Sequence, residues 1–151
     1  MDALACSSMN IDISYLITPV VAWLVAGIIK FIINSFKTRK LAFSLIGYGG
    51  LPSNHSAIVS SAAALIAFKE GIDHPAFGVA VALAFIVMLD ANSLRKQIGK
   101  QAEAINHLSG ILGSTNNGLL RERMGHSKVE IAAGVLVGTA VAFFIQSVFS
   151  R

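Results

Sequence analysis

Two short polar stretches carry the residue types that handle phosphate. The first, residues 49–56, reads Gly-Gly-Leu-Pro-Ser-Asn-His-Ser. Glycine lets the backbone approach a ligand closely, Ser53 is a suitable N-cap, and free amides at a helix start attract anions. His55 can donate or accept a proton near neutral pH. This stretch therefore indicates a phosphate site, and the alternative is a capped helix start with an interfacial histidine.

The second stretch, residues 125–130, reads Gly-His-Ser-Lys-Val-Glu. His126 and Glu130 are four residues apart at the predicted start of the last helix, so they share a face. A carboxylate there can hold one imidazole nitrogen and leave the other free as a nucleophile. Ionisable groups at the head of a membrane span are costly and commonly functional. The alternative is a solvated first turn in which Glu130 favours the helix dipole.

The elements that must position these residues are apolar. Of the 151 residues, 54% are hydrophobic and only 13% are charged, well below the charge of an average soluble domain. The runs 11–33 and 129–151 are each long enough to cross hydrocarbon as a helix. The shorter runs 56–68 and 76–89, joined by the polar segment 69–75, predict a helical hairpin. The alternative for these two is a re-entrant pair that only dips into the membrane.

A further helix is predicted over residues 99–112, where apolar side chains recur at helical spacing. It is too polar to span, so we expect it to lie along the membrane interface. The fold class is therefore all-α, a polytopic membrane helix bundle of about four transmembrane helices plus an interfacial amphipathic helix. We expect residues 1–151 to form a single domain. The Gly134 and Gly138 pair predicts close helix packing in the last span.

The basic residues fall unevenly along the chain, whose net charge is +4. In a four-span topology, ten of the twelve Lys and Arg residues lie on one face, and only Lys69 and Arg151 lie on the other. The positive-inside rule makes the ten-residue face cytoplasmic, or stromal in a plastid, with both termini on the opposite side. If the basic residues served only to orient the protein in the membrane, most of the lysines would be explained. The histidines and serines on the same face would not be explained.

Taken together, these motifs resemble a known superfamily. The segment 52–55, Pro-Ser-Asn-His, is similar to the Pro-Ser-Gly-His motif of the type 2 phosphatidic acid phosphatase and vanadium haloperoxidase superfamily. His126 with Glu130 is similar to the third motif of that superfamily, a histidine followed after three residues by an aspartate. Lys30 and Arg39 resemble the lysine and arginine of its first motif.

The chain resembles the divergent branch of that superfamily more closely, over roughly residues 25–138. This branch contains small bacterial and plastid membrane proteins. The closer likeness rests on three segments: 49–57, 90–97 and 125–126. The combination of these segments in this order is specific, although each alone is a weak signal.

The resemblance implies a mechanism with assigned roles. His126 would attack phosphorus and form a phosphohistidine, Glu130 would orient it, and His55 would protonate the leaving oxygen. The residues implied to bind phosphate are Lys30, Arg39, Ser53, Asn54 and Arg95.

Several positions depart from the superfamily pattern. Asn54 replaces a glycine, and Glu130 replaces an aspartate. Leu120 stands where the third motif opens with an arginine, so Arg95, in the segment 90–97, is the expected substitute. Asp90 ends an apolar run and could pair with Arg95 or Lys30, so it is a supporting candidate.

The expected function is hydrolysis of a lipid phosphate or pyrophosphate at the cytoplasmic or stromal face of a bacterial inner membrane or a plastid membrane. No metal ion and no cofactor are expected. The alternatives are a non-catalytic protein that binds or transports anionic lipid, and a scaffold whose histidines are relics. The expected partners are a lipid phosphate substrate and membrane lipids, and not nucleic acid. A homodimer is also among them, since short hairpin helices would gain from dimerisation.

Overall fold

The computed structural model describes residues 12–38, 50–111, 118–122 and 124–149 of the chain. Its helices are α1 (Ser14–Thr38), α2 (Asn54–Glu70), α3 (Pro75–Leu89), α4 (Arg95–Ile111) and α5 (Lys128–Phe149). A π-helical turn, Asp90–Leu94, joins α3 to α4. The described residues contain no β-strand, which confirms the prediction of an all-α fold.

Three of the described helical segments are long and apolar enough to cross a membrane: Ser14–Phe36, Pro75–Ile111 and Lys128–Phe149. Helix α2 has 17 residues, which corresponds to about 26 Å at the usual helical rise. It packs against α3 across the short turn at residues 71–74, which confirms the predicted helical hairpin. That this hairpin crosses the whole membrane stays a prediction.

The predicted amphipathic helix begins earlier than its apolar pattern indicated. We expected residues 99–112, but α4 begins at Arg95 and continues from α3 through the π turn. No proline lies between residues 90 and 99, so nothing terminates the helix where the apolar run ends. Gly99 does not interrupt the helix either, because it packs closely against the Glu122 carbonyl. Leu112 lies outside the described residues, and an interfacial position for α4 stays a prediction.

Helix α2 lies at the centre of the bundle and packs against α1, α3 and α5. The predicted close packing at Gly134 and Gly138 is confirmed. A Cβ atom at Gly134 would lie 2.8 Å from the Ser56 Cβ, and one at Gly138 would collide with the Ala57 carbonyl and the Ser60 hydroxyl. The apolar core of α1, α2 and α5 consists of Ala22, Leu65, Val141, Ala142 and Ile145.

One end of the bundle is held by a polar cluster that joins the start of α1 to the end of α2. Lys69 Nζ lies 2.5 Å from Asp12 Oδ2 and 2.7 Å from Ser14 Oγ. The Tyr15 hydroxyl donates to Glu70. The Lys69 ammonium beside Asp12 lowers the pKa of that carboxyl to about 2. We call this the far end, because the motif residues collect at the other end.

Candidate active site

Predicted site residues from four elements meet at the end of the bundle opposite the far end. The rings of His55, in the first turn of α2, and His126, just before α5, have centroids 6.0 Å apart. Arg95 Nη2, at the start of α4, lies 3.3 Å from His55 Nε2. Lys30 of α1 is half-buried and near enough for its charge to act on both His55 and Glu130.

The pairing of His126 with Glu130 is built into the first turn of α5. His126 Nδ1 lies 3.1 Å from Glu130 Oε2, and the same oxygen accepts the Ser127 N–H at 2.9 Å. In return, the Ser127 hydroxyl accepts the Glu130 N–H at 3.2 Å. These two reciprocal bonds form a capping box, which Ser-x-x-Glu signals in the sequence and which our sequence analysis missed. Glutamate is the usual acidic residue of such a box, which gives a physical reason for Glu130 where the superfamily motif has aspartate.

The start of α2 is tied to the start of α5. Ser53 is fully buried, and its N–H donates to the Glu130 carbonyl at 2.9 Å. Its hydroxyl accepts the Ser56 N–H at 3.4 Å and the Ser56 hydroxyl at 3.1 Å, so Ser53 is the N-cap of α2. The first amides of α2, on Asn54 and His55, have no intrahelical carbonyl to bond. Two helix N-termini therefore add positive potential to this end of the bundle.

The π turn positions two further parts of the site. It sends the Arg95 N–H to the Asp90 carbonyl, where an α-helix would send it to Ala91. The Ala91 carbonyl instead accepts the His126 N–H at 2.9 Å. The wider turn also lets Asp90 and Arg95, five residues apart, form an ion pair at 3.5 Å. Of the two predicted partners of Asp90, Arg95 and Lys30, Arg95 is the one that forms the ion pair. Nothing that we recognised in the sequence indicated the π turn. Such turns are frequent at functional sites.

Gly125 is needed for the close approach of the His126 segment to α4. Its φ of +91° favours glycine, and a Cβ atom there would lie 2.9 Å from Lys96 Cγ and 3.2 Å from Lys96 N. A side chain at this position would push the segment away from the helix, and His126 with it.

Three buried polar atoms have no hydrogen-bond partner among the described residues: Asn54 Oδ1, His55 Nδ1 and Asn92 Oδ1. Asn54 is a predicted site residue, whereas Asn92, in the π turn, was not singled out. Arg39 and Arg123 lie outside the described residues. Within the part of the chain that the structure describes, no group of three or more His, Cys, Asp or Glu side chains could hold a metal ion.

The fold and the site together define a class of protein. It is a helical membrane protein with a cluster of histidines, carboxylates and cations at one end of the bundle. The sequence matches the Divergent PAP2 family over residues 11–141, and the chain belongs to that family. It is similar to the uncharacterized membrane protein YuiD of Bacillus subtilis (strain 168). The two are 31% identical, and the aligned region covers 89% of this chain and 94% of the relative. No solved structure matches the chain. The protein is thus an integral membrane protein of the Divergent PAP2 family.

Proposed function

We propose that this protein is a membrane phosphatase that hydrolyses a lipid phosphate or pyrophosphate through a phosphohistidine intermediate. The observation that carries the proposal is the His126–Glu130 pair at 3.1 Å, with a second imidazole, His55, beside it. Binding an anionic lipid requires cations, but it does not require an oriented imidazole next to a second one. Membership of the Divergent PAP2 family supports the same chemistry.

The first step is attack by His126. The bond from Nδ1 to Glu130 keeps the ring proton on that nitrogen, so Nε2 presents its lone pair. Nε2 forms a bond to phosphorus while the bond from phosphorus to the lipid oxygen breaks. The departing oxygen takes a proton through His55. In the second step, water attacks phosphorus while His55 takes one of its protons, the bond from phosphorus to Nε2 breaks, and inorganic phosphate leaves.

The phosphate oxygens would be bound by charges and amides at the same end of the bundle. Lys30 and Arg95 supply the positive charge, and the free amides at the start of α2 supply N–H donors. Stabilising charge on these oxygens is the main part of phosphoryl-transfer catalysis. Asn54, Ser53 and Arg39 stay predicted phosphate ligands. Because Ser53 is fully buried as an N-cap, its contribution would come largely through the position of α2.

The excess of basic residues supports a cytoplasmic or stromal position for this end of the bundle. A lipid whose headgroup enters from that leaflet would reach the site while its chains stay in the membrane. The second candidate is a protein that binds or transports anionic lipid without turnover, for which the same cations would suffice.

The test is phosphate release by the purified full-length protein in mixed micelles. The panel would contain phosphatidic acid, phosphatidylglycerol phosphate and a polyprenyl pyrophosphate. We expect release from at least one lipid, and His126→Ala should reduce it by at least about 1,000-fold, as removal of a nucleophile does elsewhere. His107→Ala, which changes an exposed histidine of α4, is the matched control and should keep wild-type activity.

Equal release by the wild type and His126→Ala would refute the phosphohistidine mechanism. Saturable binding of a lipid with no phosphate release from any member of the panel would favour the lipid-binding alternative.

A further inference from the structure

The contact between Arg95 and His55 determines where the imidazole carries its proton. Arg95 Nη2 lies 3.3 Å from His55 Nε2. A guanidinium has five N–H donors and no acceptor, so Nε2 must be the acceptor in this bond. Nε2 therefore holds a lone pair and the ring proton lies on Nδ1. A neutral imidazole with its proton on Nδ1 is the form of His55 that fits this contact.

The charged groups that face His55 favour this neutral state. Arg95 from the start of α4 and Lys30 from α1 both bring a positive charge, and His126 faces it from the segment before α5. Asp90 in the π turn brings the opposing negative charge, but it is paired with Arg95 at 3.5 Å. A positive charge on the His55 ring would therefore face two cations.

A neutral His55 cannot supply the proton that the proposed hydrolysis needs. Loss of the proton on Nδ1 would leave an imidazolate, which is far too basic to form in this step. His126 must also be neutral for its Nε2 to attack phosphorus. Neither histidine therefore brings a spare proton. A phosphate monoester does, because its second ionisation has a pKa of about 6, so that about a tenth of it is still monoanionic at pH 7.

We infer that the proton taken by the leaving oxygen arrives on the substrate, so that the site selects the monoanion of a phosphate monoester. This inference rests on the proposed hydrolase function. In this scheme Arg95 leaves His55 Nε2 and binds the phosphate instead. Asp90 is the positioning residue, because it holds Arg95 Nε while Arg95 changes partner.

The proton can be followed through the step. As the phosphate enters, Arg95 moves from His55 Nε2 to the phosphate oxygens, and the phosphate O–H gives its proton to the vacated Nε2. The bond from His126 Nε2 to phosphorus then forms while the phosphorus–oxygen bond breaks. The leaving oxygen takes the proton from His55 Nε2. One proton enters with the substrate and leaves on the alcohol, and His55 is neutral again. A phosphodiester has no such proton, so diesters should be rejected.

The protonation of His55 can be measured without turnover. The full-length protein, labelled with [15N]histidine in detergent micelles, would be observed by NMR at neutral pH with and without inorganic phosphate. We expect a single ring proton, on Nδ1, in the free protein and a second proton on Nε2 when phosphate is bound. The exposed His107 is the internal control, because phosphate should leave its signals unchanged. A doubly protonated His55 in the free protein, a His55 that stays neutral at phosphate saturation, or no binding at all would overturn the inference.

Turnover shows whether the second ionisation of the substrate limits the rate at alkaline pH, as the inference requires. We would compare the pH profile of kcat/KM for a short-chain phosphatidic acid and for its phosphorothioate analogue, whose second pKa is lower. The alkaline midpoint should move to lower pH by the difference between the two second pKa values. In Arg95→Gln, whose amide can accept as well as donate, His55 can take a proton from water. In this variant the alkaline midpoint of kcat/KM should be the same for both substrates, whatever their second pKa.

An alkaline midpoint that is the same for both substrates in the wild type would show that the proton comes from the enzyme, and would overturn the inference with hydrolysis intact. The expected NMR result together with no phosphate release from any lipid would refute the hydrolase and with it the proton transfer to a leaving group. The two failures are therefore distinguishable.

Discussion

The N–H of His126 donates to the carbonyl of Ala91 at 2.9 Å, which ties the segment before α5 to the π turn after α3. Ala91 is almost fully buried, so this bond is shielded from water. The carbonyl is available because the π turn sends the Arg95 amide to Asp90. A main-chain contact therefore positions the proposed nucleophile, and it depends on a local irregularity in a neighbouring helix.

Gly125→Ala should disturb this contact. The substitution places a Cβ atom 2.9 Å from Lys96 Cγ at a φ of +91°, which should cost about 1–3 kcal/mol of stability. Turnover should fall at least tenfold, because His126 moves with the segment. Thermal unfolding in detergent and phosphate release would measure both effects. Gly110→Ala, in an open part of α4, is the control and should be neutral or stabilising by up to about 1 kcal/mol. If the two variants behave alike, the close approach at Gly125 has no role in positioning His126.

Glu130→Gln and Ser127→Ala should separate catalysis from capping. In Glu130→Gln the side-chain amide could still accept the Ser127 N–H, but the charge that stabilises an imidazolium at His126 would be lost. We expect a fall in turnover of about 100- to 10,000-fold with little change in stability. Ser127→Ala removes one half of the capping box and should mainly lower stability, by about 1 kcal/mol. Phosphate release and thermal unfolding would be measured for both variants. Equal changes in turnover and in stability would contradict separate roles for Glu130 in catalysis and Ser127 in capping.

Arg95→Lys should cost activity heavily although the positive charge is kept. The planar guanidinium of Arg95 contacts Asp90 through Nε and His55 through Nη2. Lysine can reproduce neither this pair of contacts nor the bidentate binding of two phosphate oxygens. We expect a loss of at least about 100-fold in kcat/KM. Arg121→Lys, at an exposed position, should be nearly silent and serves as the matched control. A silent Arg95→Lys beside an inactive Arg121→Lys would move the phosphate-binding role to the segment before His126.

The membrane topology can be tested by cysteine labelling in a Cys6→Ser background, which lacks any other cysteine. Asp73→Cys lies in the exposed turn between α2 and α3, and His107→Cys lies on the exposed face of α4. An impermeant maleimide should label His107→Cys only from the cytoplasmic side and Asp73→Cys only from the other, because the basic residues favour that orientation. Labelling of both from one side would show that the hairpin is re-entrant.

The sequence by itself determined the fold class and most of the residues that meet at one end of the bundle. Exposing apolar runs of spanning length to water is unfavourable, so these runs lie in the membrane. The short polar motifs between them must then collect at the membrane faces. This reasoning was enough to predict the helical hairpin, the close packing at Gly134 and Gly138, and the convergence of His55, Arg95 and His126. For Asp90 it left two possible partners open, Arg95 and Lys30, and the ion pair with Arg95 was settled only by the structure.

Only the tertiary structure decided how these residues are connected. The π turn, the bond from His126 to Ala91 and the contact of Arg95 with His55 all depend on which carbonyl or ring nitrogen is left free where two helices meet. Hydrophobic periodicity reports which side of a helix is apolar, but it carries no information about the partner of a single amide in the backbone. The continuity of α3 with α4 escaped prediction for a related reason. A change in polarity marks the point where a helix leaves its apolar surroundings, and it does not end the hydrogen-bonding of the helix.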